Sequence, residues 1–158
     1  MREYLLTIAI PTYNRLDNLR RLLFFIKKYN TENEIEVIVS NNCSEDGTHE
    51  FLEYFVKDNK WLNVNNNNNI GGDANIRWLA KCAKGKYVLF LGDDDYISKY
   101  EFKNIVIDLK NYSPNLYQIS NAFYDFQKNK FIKFISKNDK YKDRSIYVTE
   151  KNFRDLMS

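Results

Sequence analysis

The chain has 158 residues, the length of one domain with a substantial core. Aromatic side chains make up 16% of the residues and the net charge is +3, so neither a disordered chain nor a nucleic-acid-binding surface is indicated. Cys43 and Cys82 form no CxxC pair and no zinc-type cluster, and two reduced thiols are favoured over one disulfide. Because the N-terminal apolar run is too short for a signal peptide and no segment reaches membrane-spanning length, we expect a soluble cytoplasmic protein.

The first half of the chain alternates strand-like and helix-like segments. Tyr4–Ile10 predicts a short apolar strand, closed by Pro11, which has no N–H for a following ladder. Apolar residues at helical spacing predict a helix over residues 16–29, with Asn14 as its N-cap. The same reasoning predicts, in order, a strand over residues 35–39, a helix that follows Thr48, and a brief strand over residues 61–64.

The second half continues the alternation and then changes to strands. A helix over residues 73–83 precedes the apolar run Tyr87–Leu91, which predicts a strand buried on both faces. Ser98 and Glu101 form a capping box that begins a helix with an apolar stripe of Phe102, Ile105, Val106 and Leu109. The remaining predictions are strands over residues 116–126 and 130–136 and the start of a helix over residues 149–157.

The order of these elements predicts the fold class. An alternating βαβαβαβα series followed by strands indicates a three-layer α/β/α fold with a mainly parallel, Rossmann-like sheet. Ligands of such sheets bind beyond the carboxyl ends of the strands. Polar clusters follow four of the predicted strands at that end, over residues 12–15, 40–46, 65–73 and 93–95. We therefore expect one ligand-binding edge built from four loops.

The acidic triplet Asp93-Asp94-Asp95 follows the fourth strand and Gly92. By itself a run of like charges is more often a solvated turn than a site. In an extended segment, however, Asp93 and Asp95 would point the same way and could share one cation. Oxygen ligands suit Mg²⁺ or Mn²⁺, which commonly keep coordination positions for substrate phosphates. Together with the other polar clusters, the triplet predicts a metal–phosphate site.

Two common nucleotide-binding motifs are missing from the sequence. There is no GxxxxGK[ST] loop, and the first strand leads into Pro11-Thr-Tyr rather than GxGxxG. A nucleotidyltransferase would be expected to carry a glycine-rich basic loop at that place. The asparagine run over residues 65–69 is better explained by compositional drift in a loop than by a motif. Gly71 and Gly72, which follow it, would nevertheless let a ligand approach the backbone.

Four segments in order resemble one known family, the family 2 glycosyltransferases of the GT-A fold. The segments are Ile8-Ala-Ile-Pro-Thr-Tyr-Asn-Arg15, Val37-Ile-Val-Ser-Asn-Asn-Cys-Ser-Glu-Asp-Gly-Thr48, Asn69-Ile-Gly-Gly-Asp-Ala-Asn75 and Leu89-Phe-Leu-Gly-Asp-Asp-Asp95. The last one matches the DXD region of that family. Each segment by itself is a weak match, but the order and spacing of the four make the resemblance specific over about residues 4–110.

The resemblance implies a role for individual residues. Thr12 and Tyr13 would line the nucleobase pocket, and Asn41 or Asn42 would contact the edge of the base. Asp95 would be the surest ligand of Mn²⁺ or Mg²⁺ on the diphosphate. The implied nucleotide-binding set is Pro11, Thr12, Tyr13, Arg15, Asn41, Asn42, Asn69, Gly71, Asn75, Asp93 and Asp94, and the implied metal ligands are Asp93 and Asp95.

The resemblance also implies a reaction. An inverting, metal-dependent transferase would move a sugar from a nucleotide-diphosphate sugar, with UDP favoured, to a glycan or lipid-linked acceptor in surface polysaccharide synthesis. A divalent ion would neutralise the charge that builds on the leaving diphosphate, and a carboxylate would take the proton of the acceptor hydroxyl. The sequence departs from the family pattern at three places. Asn41-Asn42 and Gly92 stand where acidic residues are common, and the arginine common beside the asparagine of the third motif is absent, with Arg77 more simply an exposed helix residue.

The end of the sequence bears on domain organisation. The family's acceptor-side base lies well downstream of the acidic motif, whereas the chain ends 63 residues after Asp95. We therefore expect residues 1–158 to be a single nucleotide-sugar-binding domain of a truncated GT-A fold, inactive alone, with the base beyond Ser158. An apolar surface at that end could drive homodimerisation, and the full-length protein could lie at the inner face of the membrane. The alternative is a non-catalytic nucleotide-binding or interaction module.

Overall fold

A computed structural model of the chain describes residues 4–30, 34–59 and 61–113, and the backbone of residues 121–125 and 130–135. The chain forms two compact units, residues 1–110 and residues 111–158. The first unit contains β1 (Tyr4–Thr12), α1 (Leu16–Tyr29), β2 (Ile35–Asn41), α2 (Thr48–Asp58), β3 (Leu62–Asn65), α3 (Gly72–Cys82), β4 (Gly85–Phe90) and nearly all of α4 (Lys99–Tyr112). The described part of the second unit contains the hairpin strands β5 (Asn121–Asp125) and β6 (Lys130–Ile135).

The first unit is built on a four-stranded parallel sheet in the order β3-β2-β1-β4. Ile8 of β1 lies beside Val37 of β2 on one side and Leu89 of β4 on the other. In the second unit β5 and β6 pair antiparallel, which confirms two of the later predicted strands in shorter form. The helix predicted over residues 149–157 lies outside the described residues.

Helices cover both faces of this sheet. Leu79 of α3 packs with Ala9 and Ile38 on one face. The connections β1-α1-β2 and β2-α2-β3 move toward one edge of the sheet, whereas β3-α3-β4 crosses back to the other edge. Because such crossovers are right-handed, α1 and α2 lie on one face of the sheet and α3 lies on the opposite face. The ring of Phe25 in α1 contacts that of Phe102 in α4, which places α4 beside α1. The predicted three-layer α/β fold is therefore confirmed.

The position of β4 differs from the prediction. We expected it to be buried on both faces, but it is an edge strand of the described sheet, with Val88 and Phe90 exposed by 39% and 43%. Their register partners Thr7 and Ala9 lie on the α3 face of the sheet. Because α3 packs over β1 and β2, the adjoining part of β4 remains uncovered. Sequence periodicity identified the strand but could not give its place in the sheet.

Strand β1 also runs further than predicted, through Pro11 to Thr12. The backbone oxygen of Ala9 accepts a bond from Leu91 N on the β4 side, so Pro11, two residues later, faces the same side. The ladder with β4 has ended there, and the missing N–H of Pro11 breaks no bond. On the other side Thr12 O accepts a bond from Asn42 N, which carries β1 and β2 together into the loops.

Candidate functional site

The carboxyl ends of β1 and β4 are joined by hydrogen bonds between polar side chains. Thr12 Oγ1 donates to Asp93 Oδ2 at 2.8 Å. Arg15 Nη1 donates to Asp93 Oδ1 at 3.2 Å and to Asp94 Oδ2 at 2.8 Å. The structure therefore brings the first and fourth polar clusters together, and Arg15 supplies the positive charge that an acidic turn requires.

Asp93 is the buried member of this group, with only 4% of its surface exposed. Burial raises the pKa of Asp93 above its ordinary value, although the hydrogen bond from Thr12 and the charge of Arg15 oppose that rise. In turn, the charge of Asp93, followed by that of Asp94, raises the pKa of Arg15. Asp93 thus connects the turn to the sheet, while Asp94 and Asp95 remain exposed.

The acidic segment is a closed turn rather than an extended chain. Asp95 N donates to Gly92 O at 3.1 Å, and Gly92 N donates to Asp95 Oδ2 at 2.8 Å. The extended geometry expected for Asp93 and Asp95 is therefore wrong. Instead, a methyl group on Gly92 would lie 2.9 Å from Asp95 Oδ2 and 3.1 Å from Asp94 Oδ1, so two carboxylate oxygens face one point beside the glycine.

The loops after β1 and β2 are tied together at the start of α1. Asn14, predicted as the N-cap, instead has a left-handed backbone (φ 51°), and its Oδ1 accepts a bond from Glu45 N at 2.7 Å. The first N–H of the helix, that of Leu16, donates to Asp46 Oδ2 at 2.8 Å. Asp46 Oδ1 also accepts a bond from Thr48 Oγ1 at 2.5 Å. Sequence reasoning missed Asp46, although Asp-Gly-Thr before a helix is itself a turn signal.

The adjacent amides Asn41 and Asn42 are buried and hydrogen-bonded to the loop after β3. Asn41 Nδ2 donates to Asn65 Oδ1 at 3.1 Å. Asn42 Nδ2 donates to Asn69 Oδ1 at 2.8 Å, and Asn42 Oδ1 accepts a bond from Ile70 N at 3.0 Å. The Nδ2 groups of both side chains thus join the loop after β2 to the loop after β3, while Asn41 Oδ1 accepts a bond from Ser44 N within its own loop.

Asn75, on the buried side of α3, extends the same network to that helix. Its Oδ1 accepts bonds from Ser40 Oγ at 2.6 Å and from Asn66 Nδ2 at 3.1 Å, and its Nδ2 donates to Ser40 O at 3.2 Å. Gly71, with φ at 82°, turns the chain into the helix, and its N–H donates to Asn69 Oδ1. Side chains of the asparagine run therefore make hydrogen bonds that connect β2, its loop and α3, so the interpretation of the run as compositional drift was wrong. Ser40, Asn65 and Asn66, which bond to this network, lie in the predicted polar clusters but were not among the residues named for nucleotide binding.

The predicted site residues fall into three sets. Thr12, Arg15, Asp93 and Asp94 form the first hydrogen-bonded group, and Asn41, Asn42, Asn69, Gly71 and Asn75 belong to the second. Tyr13 and Asp95 are exposed beside them, and Pro11 lies in β1.

Within residues 4–30, 34–59 and 61–113, no three acidic, histidine or cysteine side chains form a group able to hold a metal by themselves. None of the described helices is long and apolar enough to cross a membrane.

Comparison with known proteins gives a consistent result. Abequosyltransferase RfbV of Salmonella typhimurium is 34% identical over 98 residues, which are 60% of this chain and 29% of RfbV. Poly(ribitol-phosphate) beta-N-acetylglucosaminyltransferase TarS of Staphylococcus aureus is 35% identical over 101 residues, which are 62% of this chain and 18% of TarS. The chain thus spans less than a third of the length of these relatives.

Solved structures show the same fold. TarS residues 1–349 in complex with UDP-GlcNAc superpose with a TM-score of 0.63 at 26% identity, over 76% of this chain and 33% of that one. The mannosyltransferase PcManGT from Pyrobaculum calidifontis was solved with GDP-Man and Mn²⁺ and is similar in fold, with a TM-score of 0.60 at 20% identity. The match covers 70% of this chain and 34% of PcManGT. A family model described as Glycosyl transferase family 2 matches residues 7–155. With its parallel sheet, flanking helices and strand-end motifs, this chain belongs to glycosyl transferase family 2.

Proposed function

We propose that residues 1–158 are the nucleotide-sugar-binding domain of an inverting, divalent-metal-dependent glycosyltransferase. The donor would be a UDP-sugar and the acceptor a glycan or lipid-linked glycan of a surface polysaccharide. The observation that carries the proposal is the joined edge of β1 and β4, where Thr12 and Arg15 bond Asp93 and Asp94 and the next residue, Asp95, is exposed. TarS, solved with UDP and with UDP-GlcNAc, supports a uridine donor.

The residues of the acidic turn fit a divalent ion. The oxygens of Asp94 and Asp95 that converge beside Gly92 offer two hard ligands, and Mg²⁺ sites of this kind take one or two carboxylates together with substrate phosphates. Asp94 and Asp95 would hold Mn²⁺ or Mg²⁺ here. The predicted pairing of Asp93 with Asp95 is less favoured, because Asp93 is buried and both of its oxygens accept side-chain bonds, from Thr12 and Arg15. The carboxylates of Asp94 and Asp95 are exposed, and each accepts one bond, from Arg15 and from Gly92 N.

When bound, the ion would neutralise the charge that develops on the leaving diphosphate. The chain's own residues provide the surroundings. Tyr13, exposed at the end of β1, would stack on the base, and Arg15 would hold the acidic turn in position while its exposed half faces the phosphates. The Asn42–Asn69 bond would keep the β3–α3 loop and Gly71 beside the donor.

Asp95→Asn tests the metal assignment, because it keeps the size of the side chain and removes its charge. We expect Mn²⁺-dependent UDP binding, measured by calorimetry, to be lost while the circular dichroism spectrum and the unfolding midpoint stay unchanged. Asp58→Asn is the matched control, because Asp58 is an exposed aspartate in the last turn of α2, at the other end of the helix layer. Equal binding by the Asp95→Asn variant and the wild type would refute the assignment.

A further inference from the structure

The outer face of α1 is strongly basic and carries an exposed aromatic ring. Its exposed side chains recur at helical spacing and are Asp17, Arg20, Arg21, Phe24, Lys27 and Lys28. Phe24 is 52% exposed, and cations lie about one helical turn before and after it. Among the exposed residues of α1, which the structure describes throughout, Asp17 is the single acid. A helix face of this composition is typical of a surface that meets anionic lipid.

Ring contacts show how this face is oriented between its neighbours. Arg20 lies over the ring of Phe51 and Lys27 over the ring of Phe55, so these two cations lean toward α2. The ring of Phe24 meets that of Phe55 edge-on, with centroids 5.0 Å apart, and keeps about half of its surface exposed. Phe25, on the other flank of α1, contacts Phe102 of α4. Arg21 and Lys28 lie between these flanks on the helical wheel and therefore point outward, beside α4.

Helix α4 continues the same surface. Its exposed side chains include Lys99, Tyr100, Lys103 and Ile107, with Tyr100 and Ile107 exposed by 65% and 51%. We name the combined surface the α1–α4 basic face, and it consists of Arg21, Phe24, Lys28, Lys99, Tyr100, Lys103 and Ile107. It presents four cations and three large apolar or aromatic side chains.

We propose that the α1–α4 basic face is a docking surface for an anionic phospholipid bilayer. Clusters of four to eight lysine and arginine residues on an amphipathic helix are attracted to anionic headgroups, and long cationic side chains reach the headgroups while Phe24 and Ile107 enter the interface. The face is the outer side of two helices, a shape that meets a flat bilayer, and the acidic side chains Glu50 and Glu53 lie outside it on α2. The inference does not depend on nucleotide binding.

Docking in this orientation would keep the candidate site near the membrane. Helices α1 and α4 follow β1 and β4, so their N-terminal ends lie at the edge that carries Arg15 and the acidic turn. A chain bound through the two helices would therefore hold that edge close to an acceptor anchored in lipid.

The test is vesicle co-sedimentation of the full 158-residue chain. We expect the chain to pellet with vesicles of phosphatidylcholine and phosphatidylglycerol, to remain in solution with phosphatidylcholine alone, and to be released by high salt. Arg21→Gln with Lys28→Gln should lower the partition coefficient by about tenfold or more, the scale expected when two cations leave an anionic surface. Arg77→Gln with Lys81→Gln removes the same charge from exposed positions of α3 and should bind as the wild type does.

The Phe24→Ser variant distinguishes a lipid partner from an acidic protein partner. It keeps every charge but also removes the ring contact with Phe55, so the circular dichroism spectrum must first show an unchanged fold. Vesicle binding should then weaken, because the exposed part of the ring no longer enters the interface. Unchanged vesicle binding by Phe24→Ser, together with competition by polyglutamate, would assign the surface to an acidic protein and overturn the proposal. No binding of the wild type to anionic vesicles, or an equal loss in the α3 control, would overturn it as well.

Discussion

The Asp46 carboxylate accepts a hydrogen bond from the backbone N–H of Leu16 at 2.8 Å, so a side chain in the β2–α2 loop caps the helix that follows β1. The same carboxylate accepts bonds from the N–H and hydroxyl of Thr48 at the start of α2. One side chain therefore accepts a bond from the first backbone N–H of each of two helices. The β1–α1 and β2–α2 loops, two of the loops at the candidate site, are fixed to each other through this residue.

Asp46→Ala should lower the free energy of unfolding by about 1 kcal/mol or more, because an N-cap is lost and a second helix start loses its partner. Urea denaturation measures the change. Glu45→Ala is the matched control, since the Glu45 side chain is exposed and its backbone N–H, which donates to Asn14, is retained. Equal stability of the two variants would contradict the double-cap role.

The same interaction should depend on pH. Burial acts to raise the pKa of Asp46, but the bonds from Thr48 and Leu16 outweigh it and hold that pKa below its ordinary value of 3.8. The unfolded chain then binds the proton more tightly, so the contribution is complete above about pH 3.8 and is lost as the pH falls through the folded-state pKa. The stability difference between the wild type and Asp46→Asn should therefore shrink at acid pH.

Arg15→Gln should raise the pKa of Asp93 further, because a buried carboxylate would lose its cation and keep only Thr12 as a partner. Carbon-detected NMR titration of the Asp93 carboxyl measures the shift. Since an elevated pKa favours the protonated folded state, the stability of this variant should fall more steeply than that of the wild type as the pH rises from 3.8. Arg15→Lys should restore part of the effect, and Arg20→Gln should leave the Asp93 titration unchanged.

Gly92→Ala should preserve the fold and weaken metal-dependent nucleotide binding. The added methyl group would meet only the ends of the Asp94 and Asp95 side chains, at 3.1 and 2.9 Å, and these can move aside. We expect the Mn²⁺ affinity of the UDP complex to fall by about tenfold or more, as when the groups that orient metal ligands are changed. Gly72→Ala places its methyl group in open space and should bind normally. Normal Mn²⁺ affinity in Gly92→Ala would show that the ion does not use this point.

Asn42→Asp should destabilise the chain, although it introduces a residue type that the family resemblance would allow there. The new carboxylate could still accept the bond from Ile70 N, but it would face Asn69 Oδ1 without a donor. A loss of about 1–3 kcal/mol in the free energy of unfolding is expected for a buried group left unpaired. Asn67→Asp, in the same loop and exposed, should change stability little. A stable Asn42→Asp variant would mean that the amide network is dispensable.

Local rules predicted the parts of the fold that depend on neighbours in sequence. The helix predicted over residues 16–29 has those bounds in the structure, and Ser98 and Glu101 form the predicted capping box, with Glu101 N donating to Ser98 Oγ at 3.1 Å. The stripe that contains Phe102 and Leu109 is buried as expected. In each case the deciding interaction spans only a few residues.

The features that were missed depend on distant partners. No spacing rule links Leu16 to Asp46, and Asn14 was the better local candidate for the cap. The acidic triplet was predicted to lie in a metal–phosphate site, but no local pattern indicated that Asp93 is buried and bonded to Thr12, 81 residues earlier. Composition alone also could not show that Asn66 bonds Asn75 across the start of α3. The site was therefore predicted as a set of loops, whereas its connections required the fold.

Calorimetric titration of the chain with UDP, with and without Mn²⁺ and with GDP as the comparison, tests the central claim most directly. If Asp94 and Asp95 hold the ion on a uridine diphosphate, UDP will bind in the presence of Mn²⁺, bind much more weakly without it, and be preferred to GDP. Binding of neither nucleotide by a folded chain, or UDP binding that is unaffected by Mn²⁺, would contradict the account.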